Sequence, residues 1–186
     1  MRKEEFNHVI AAAAEVSGER EIVVIGSQAI LGSVDQPPES MLVSMEADVY
    51  PLHDPTKANE IDANLGDGSQ FQSTYGYYAH GVGPETATAP AGWTERLVRV
   101  EIPPRVQQAH GAVAFCLEPH DLVLAKCVAG RDRDWDFARD ALEAGLIEFD
   151  QLIARVGDLP IDAAGQERMR AMLKGIASRL DLGKTQ

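Results

Sequence analysis

The sequence predicts an α/β (α+β) protein, in which a small mixed sheet with flanking helices is followed by a helical C-terminal subdomain. Short β-branched or alternating runs, such as residues 22–25 and 96–102, are interleaved with helical patterns over the first two thirds of the chain. The last third carries helical spacing only. The 186 residues are 45% hydrophobic and 25% charged, as is usual for one globular domain or one domain with a small appendage. We therefore expect an α/β core over residues 1–117 and a helical subdomain over residues 118–186.

The individual elements follow from periodicity and from residues that begin or end them. Gly18, Gly130 and Gly145 are natural helix stops, and Pro119 suits a first helical position. Asp132 is expected to cap the helix that follows it. The predicted helices are 3–17, 28–31, 55–65, 120–129, 134–144, 149–156 and 162–181, and the predicted strands are 21–25, 41–50, 71–82, 96–102 and 113–117.

Residues 71–82 are aromatic and alternate, which favours a strand or a hairpin arm. We interpret Tyr75, Tyr77, Tyr78 and His80 as a half-buried β surface. An alternative is that two of these side chains stack on a base or contact an acceptor.

Several classes of protein are not expected. No apolar run reaches the roughly 18 residues that a membrane-spanning helix needs. The beginning of the chain has neither the apolar segment nor the cleavage site of a signal peptide. Cys116 and Cys127 do not form a CxxC motif, which favours a reducing cytoplasm and no structural zinc.

The charge distribution restricts the ligands. The net charge is −12, and residues 1–93 hold only 4 Lys and Arg against 14 Asp and Glu, whereas residues 94–186 hold 13 against 15. A nucleic-acid-binding surface needs many basic residues to neutralise phosphates, so no extended surface of this kind is expected. A phosphorylated ligand in the N-terminal half would need backbone amides, a helix dipole or a divalent metal.

The most specific motif is a Gly26-Ser27 turn after the first strand, followed by Glu46-x-Asp48 on the next strand. Gly-Ser at a strand-to-helix turn allows a phosphate to approach free N–H groups, and the serine adds a donor. Glu46 and Asp48 face the same side of a strand, about 6–7 Å apart, and can share Mg²⁺, which prefers oxygen ligands. Taken separately, an ordinary turn and a solvated acidic pair explain them as well.

Together these residues resemble the signature of the nucleotidyltransferase superfamily with the DNA polymerase β-like fold. Further stretches between about residues 22 and 145 are similar to a family of uncharacterised bacterial nucleotidyltransferase-like proteins, and the last of them is also similar to the nucleotidyltransferase toxins of abortive-infection toxin–antitoxin systems. The stretches are 26–33, 45–51, 92–98 and 118–134.

The resemblance implies a nucleotidyltransferase-like core and a Mg²⁺-dependent transfer of a nucleoside monophosphate from a nucleoside triphosphate to a hydroxyl of an RNA, a protein or a small molecule. Gly26 and Ser27 would hold the phosphates, and Glu46 and Asp48 would bind Mg²⁺. Lys126 would contact phosphate or activate the acceptor, with assistance from Asp134. The planar donor groups of Arg131 and Arg133 suit further phosphate contacts.

The sequence departs from the family pattern at two points. Glu46 stands where Asp is usual, and the spacing from Gly26 is long. Active members often carry a third carboxylate on a later strand, for which Glu101 is the candidate, its alternative being an ordinary exposed residue.

Two other functions therefore stay open. One is a catalytically degenerate protein that binds a nucleotide or a cognate protein partner in a toxin–antitoxin-like module. The other is a transferase for a small cationic acceptor, which an acidic surface would attract.

Overall fold

The computed structural model describes residues 1–104 and 111–181, and these residues form a mixed α/β structure, as the sequence predicts. They divide into two compact units: Met1–Ala87 with Arg96–Glu118, and Thr88–Glu95 with the chain from Pro119 onward. No helix in the described part of the chain is long and apolar enough to cross a membrane. The helices are α1 (Lys3–Ser17), α2 (Ala58–Leu65), α3 (Gln70–Tyr75), α4 (Pro119–Ala129), α5 (Asp132–Glu143), α6 (Phe149–Arg155) and α7 (Ala163–Arg179), and the strands are β1 (Glu21–Val24), β2 (Glu46–Pro51), β3 (Tyr78–Gly81), β4 (Val98–Glu101) and β5 (Val113–Cys116).

The first unit is built on a five-stranded mixed sheet in the order β3-β2-β1-β5-β4. β1 is antiparallel to β2 and parallel to β5, β2 is parallel to β3, and β4 is antiparallel to β5. The central strand β1 is apolar and buried, because it has a partner strand on both sides and helix α1 beside it. Phe6 and Ile10 of α1 are fully buried in this core.

The second unit is helical in its described part. α4 is buried along most of its length, with Leu122, Val123 and Leu124 fully inaccessible to solvent. A buried ion pair joins Asp121 of α4 to Arg155 of α6, with 2.9 Å between Oδ1 and Nη1. His120 accepts the backbone N–H of Glu148 at 2.8 Å through Nε2, which fixes the chain at the entry to α6.

The second strand is shorter than the sequence predicts. The structure begins it at Glu46, and residues Glu39–Leu42 form a 3₁₀ helix instead. Met41 is buried there while Val43 is 76% exposed, so the apolar residues before Glu46 do not alternate between two faces of a sheet.

The prediction of a strand over residues 71–82 is wrong for its first half. Phe71 and Tyr75 are four residues apart and lie on one face of helix α3, where their rings are 4.9 Å apart. The hydroxyl of Ser69 accepts the N–H of Gln72 at 3.1 Å and caps this helix. Gly76 ends it with a φ of 80°. Only residues Tyr78–Gly81 form a strand.

The start of α5 also differs in detail from the prediction. The N-cap is Arg131, not Asp132. The carboxylate that satisfies the first turn is that of Asp134, whose Oδ2 accepts the backbone N–H of Arg131 at 3.3 Å.

Candidate active site

The Gly26-Ser27 turn lies directly after β1 and in contact with β2. The N–H of Ile25 donates to the carbonyl of Asp48 at 3.0 Å, and Ser27 begins a 3₁₀ helix, Ser27–Gly32. Gly26 has an extended backbone with a φ of −84°, which any residue adopts. The reason for glycine is a close approach: a Cβ on Gly26 would lie 1.8 Å from Oδ2 of Asp48. The turn and the second carboxylate are therefore packed against each other.

The same turn is tied to the backbone of Glu46 through Gln28 and Ser44. Gln28 is fully buried and donates from Nε2 to the carbonyl of Ser44 at 3.1 Å. The hydroxyl of Ser44 then accepts the N–H of Glu46 at 3.2 Å. These two bonds connect the helix after the turn with the first residue of β2, although 18 residues separate Gln28 from Glu46 in the chain.

Glu46 and Asp48 are both half-buried, and Ala47 between them is fully buried. This alternation places both carboxylates on one face of the sheet and Ala47 on the other, as the sequence predicts from the period of a strand.

Each carboxylate accepts a hydrogen bond from the neighbouring strand β3. The hydroxyl of Tyr78 donates to Oε2 of Glu46 at 2.7 Å, and Nδ1 of His80 lies 2.9 Å from Oδ1 of Asp48. An ionised carboxylate only accepts, so Nδ1 is the protonated nitrogen of His80 in this pair. The hydrogen bond to Glu46, together with burial, raises the pKa of Tyr78 to about 12.

The sequence predicts Tyr78 and His80 as part of a half-buried β surface, or as rings that stack on a base, and not as partners of the two carboxylates. Their spacing carries a signal: Tyr78-x-His80 repeats the two-residue period of Glu46-x-Asp48. That signal is interpretable only when β2 and β3 are known to be adjacent, parallel and in register.

The donor atoms fit a hard divalent cation. Two carboxylates on one face supply oxygen ligands of the kind that Mg²⁺ takes. The turn against which Asp48 packs has no side chain at position 26, which lets the carboxylate lie close to the backbone of Gly26. Mg²⁺ is commonly bound through one or two carboxylates with substrate phosphates completing the shell, and this pair supplies that number.

Glu101 does not lie next to Glu46 and Asp48 in the sheet. It lies on the edge strand β4, and the strand order places β1 and β5 between it and β2. Its side chain is 75% exposed and pairs with Arg99 at 2.9 Å. Within the described residues, no group of three or more His, Cys, Asp or Glu side chains is arranged to hold a metal ion.

The helical unit contains a second constellation around Asp134, which is fully buried. Oδ1 of Asp134 accepts from Nζ of Lys126 at 3.1 Å, and Oδ2 accepts from Nε of Arg131 at 2.8 Å. The ammonium of Lys126 also lies 4.8 Å from the centroid of the Phe137 ring. Burial opposes ionisation of Asp134, but the hydrogen bonds from Arg131 and Lys126 outweigh it and lower its pKa.

Arg133 lies exposed on the first turn of α5. Of the four residues predicted in this segment, the structure thus joins Lys126, Arg131 and Asp134 in one ionic network and leaves Arg133 on the surface beside it.

Comparison with known proteins gives one family. A family model described as "Nucleotidyltransferase of unknown function (DUF6036)" matches residues 4–177. No curated protein and no solved structure matches the chain.

Proposed function

Because this chain belongs to the nucleotidyltransferase family DUF6036, we propose that it transfers a nucleoside monophosphate from a nucleoside triphosphate, with Mg²⁺, to a hydroxyl of an RNA, a protein or a small molecule. The observation that carries this proposal is the packing of Asp48 against the Gly26 turn, with Glu46 on the same face of β2. It brings a turn suited to phosphate next to a pair of carboxylates suited to a cation.

The residues of the first unit bind and orient the triphosphate. The turn at Gly26 admits a phosphate close to the backbone, and Ser27 contributes its hydroxyl to the phosphate oxygens. Glu46 and Asp48 would hold Mg²⁺, which would supply positive charge to the phosphates when bound.

The residues of the second unit supply positive charge. Asp134 and the ring of Phe137 hold Lys126 in one orientation. We assign Lys126 to a phosphate contact or to the acceptor, Asp134 to holding it, and Arg131 and Arg133 to further phosphate contacts. These roles depend on residue type, charge and family resemblance.

The transfer itself needs little covalent assistance from the protein. The acceptor oxygen attacks the α-phosphorus and releases its hydroxyl proton to solvent, the bond from the α-phosphorus to the bridging oxygen of the β-phosphate breaks, and pyrophosphate leaves with the electron pair. Positioning and stabilisation of charge then account for most of the rate enhancement.

Label transfer tests the proposal. Wild-type protein, Asp48→Asn and Asp54→Asn are incubated with Mg²⁺, each α-³²P-labelled nucleoside triphosphate and a cell extract that supplies acceptors. Asp54 is the matched control, because it is a half-buried aspartate like Asp48 and caps the short helix Pro55–Lys57. We expect labelling by wild type and Asp54→Asn and a loss of about 10²-fold or more in Asp48→Asn. Equal labelling by all three proteins would contradict the assignment.

A second candidate function is favoured by one observation. In the described residues, no third side chain joins Glu46 and Asp48 in a group arranged to hold a metal ion, and the resemblance implies that active members often carry a third carboxylate. The chain would then bind a nucleotide without turning it over, or bind a cognate protein partner in a toxin–antitoxin-like module. Isothermal titration separates the two: tight, Mg²⁺-dependent triphosphate binding without label transfer to any acceptor supports the second function.

A further inference from the structure

We propose that Tyr78 and His80 are positioning residues that set the orientation of the two metal-binding carboxylates. This inference rests on the proposed function, because it concerns the same cation site. It goes beyond the resemblance and the family match, neither of which assigns a role to β3.

The parallel strands β2 and β3 are in a register that pairs each carboxylate with one donor. Glu46 is paired with Tyr78 and Asp48 with His80, so each carboxylate has its donor directly beside it on the same face. Ala47 and Ala79 are paired on the opposite face, and both are fully buried. A slip of one residue in β2 would carry both carboxylates into the core, so burial of these alanines maintains the pairing.

The two oxygens of the Asp48 carboxylate face opposite neighbours in the sheet. His80 holds Oδ1 from the β3 side, while Oδ2 is directed at position 26 on the β1 side. A carboxylate held at one oxygen cannot rotate about its Cβ–Cγ bond without losing that hydrogen bond. His80 therefore keeps Oδ2 turned toward the Gly26-Ser27 turn, where we place the phosphates.

The side chain of Glu46 is longer than that of the aspartate usual at this position. It has one more rotatable bond, so its carboxylate samples more orientations. The Tyr78 hydroxyl restricts it through a bond of 2.7 Å to Oε2.

Tyr78 and His80 thus position the metal ligands and are not catalytic residues. Hydrogen-bonded partners of metal ligands orient them, and their loss typically weakens metal affinity about 10- to 100-fold. The probe is Mn²⁺, which shares the oxygen preference of Mg²⁺ and whose free ion gives a paramagnetic resonance signal that falls on binding.

The test uses substitutions that differ only in where a donor lies. In His80→Asn, the amide nitrogen occupies about the place of Nδ1, whereas in His80→Gln it lies one bond further out. Tyr78→Phe removes the hydroxyl and keeps the ring. Tyr75→Phe, at an exposed tyrosine of α3, is the matched control.

We expect Mn²⁺ affinity within about threefold of wild type for His80→Asn and Tyr75→Phe, and affinity reduced about 10-fold for His80→Gln and Tyr78→Phe. Thermal unfolding of each variant accompanies the titration. A purely structural role for β3 predicts lower melting temperatures with unchanged Mn²⁺ affinity, and that result would overturn the proposal. If His80→Gln does not fold, Tyr78→Phe against Tyr75→Phe decides the matter.

Asp48→Asn separates failure of this inference from failure of the proposed function. If Asp48→Asn loses Mn²⁺ binding while His80→Gln and Tyr78→Phe keep it, the cation site stands and the positioning role is wrong. If wild type and Asp48→Asn bind Mn²⁺ equally, the cation site itself is wrong and both proposals fall.

Discussion

The carboxylate of Asp48 occupies the space that any side chain at position 26 would need. The distance from Oδ2 to a Cβ built on Gly26 is 1.8 Å, far inside van der Waals contact. Glycine is thus required here by a neighbouring strand and not by the backbone conformation of its own turn.

Gly26→Ala should displace Asp48 and disturb the site. Overpacking of this kind costs about 1–3 kcal/mol, and the displaced carboxylate should bind Mn²⁺ at least 10-fold more weakly. The measurements are urea unfolding and Mn²⁺ titration.

The control for Gly26→Ala is Gly175→Ala, inside α7, where an added Cβ meets no atom within 4 Å. Alanine in a helix interior should raise the free energy of unfolding by about 0.5–1 kcal/mol without affecting Mn²⁺ binding. Equal effects of the two substitutions would contradict the close approach of Asp48.

Glu46→Gln should shift the titration of one tyrosine. In the wild type, the hydrogen bond to Glu46 and burial raise the pKa of Tyr78 to about 12. Removing the negative charge should bring it closer to the ordinary value of about 10. The readout is the ultraviolet absorbance of tyrosinate between pH 9 and 13.

Tyr50 is an internal reference in that titration, because burial raises its pKa to about 12 and Glu46 is not a cause. The sign of the linked stability follows from the raised pKa of Tyr78. Its contribution is present below pH 10 and is lost as the pH rises through 12. An unchanged titration curve in Glu46→Gln would show that the Tyr78–Glu46 bond is not formed in solution.

Asp134→Asn should destabilise the helical unit. Loss of the carboxylate removes charged hydrogen bonds to Lys126 and Arg131, which are worth about 1.5–3 kcal/mol. The folded-state pKa of Asp134 is lowered, so its contribution is present above its unfolded value of about 4 and is lost as the pH falls through the lower folded value.

Urea unfolding at pH 7 and pH 3 checks this sign, since the difference between wild type and Asp134→Asn should be smaller at pH 3. Asp136→Asn is the control, because Asp136 is exposed and its pair with Arg139 should be worth less than about 1 kcal/mol. A difference that grows toward pH 3 would refute the assigned cause.

Ser69→Ala should destabilise α3 by about 1 kcal/mol, because the hydroxyl caps the N–H of Gln72. Ser73→Ala is the comparison: its hydroxyl donates to a carbonyl within the same helix, so its loss should cost less. A strand over these residues would make the two substitutions equivalent in denaturant unfolding.

Local patterns were sufficient for several parts of this protein. The helix over residues 3–17, the β-branched central strand and the four C-terminal helices are each confirmed within one or two residues. Apolar periodicity and helix stops depend on neighbours in the chain, so they are readable without knowing the fold. The same holds for the common face of Glu46 and Asp48, which follows from the period of a strand.

The errors arose where two local signals competed. Phe71, Tyr75 and Tyr77 have the β propensity of aromatic residues, but the Ser69 cap and the glycine at position 76 make the first part of that segment helical. The apolar residues before Glu46 resemble a strand in composition, yet strand pairing begins only at Glu46, where β3 supplies a partner.

The amino-acid order was enough to propose the candidate site: a Gly-Ser turn, two carboxylates two residues apart, and a lysine with a later aspartate. Which strands are neighbours depends on pairings between distant segments, because 32 residues separate Asp48 from His80 and 22 separate Gly26 from Asp48. Tertiary structure therefore placed Tyr78 and His80 beside the carboxylates and explained Gly26 by the close approach of Asp48. It also placed Glu101 on the edge strand β4, with two strands between it and β2. Hydrogen bonding between strands is a property of the folded sheet, and no local pattern contains it.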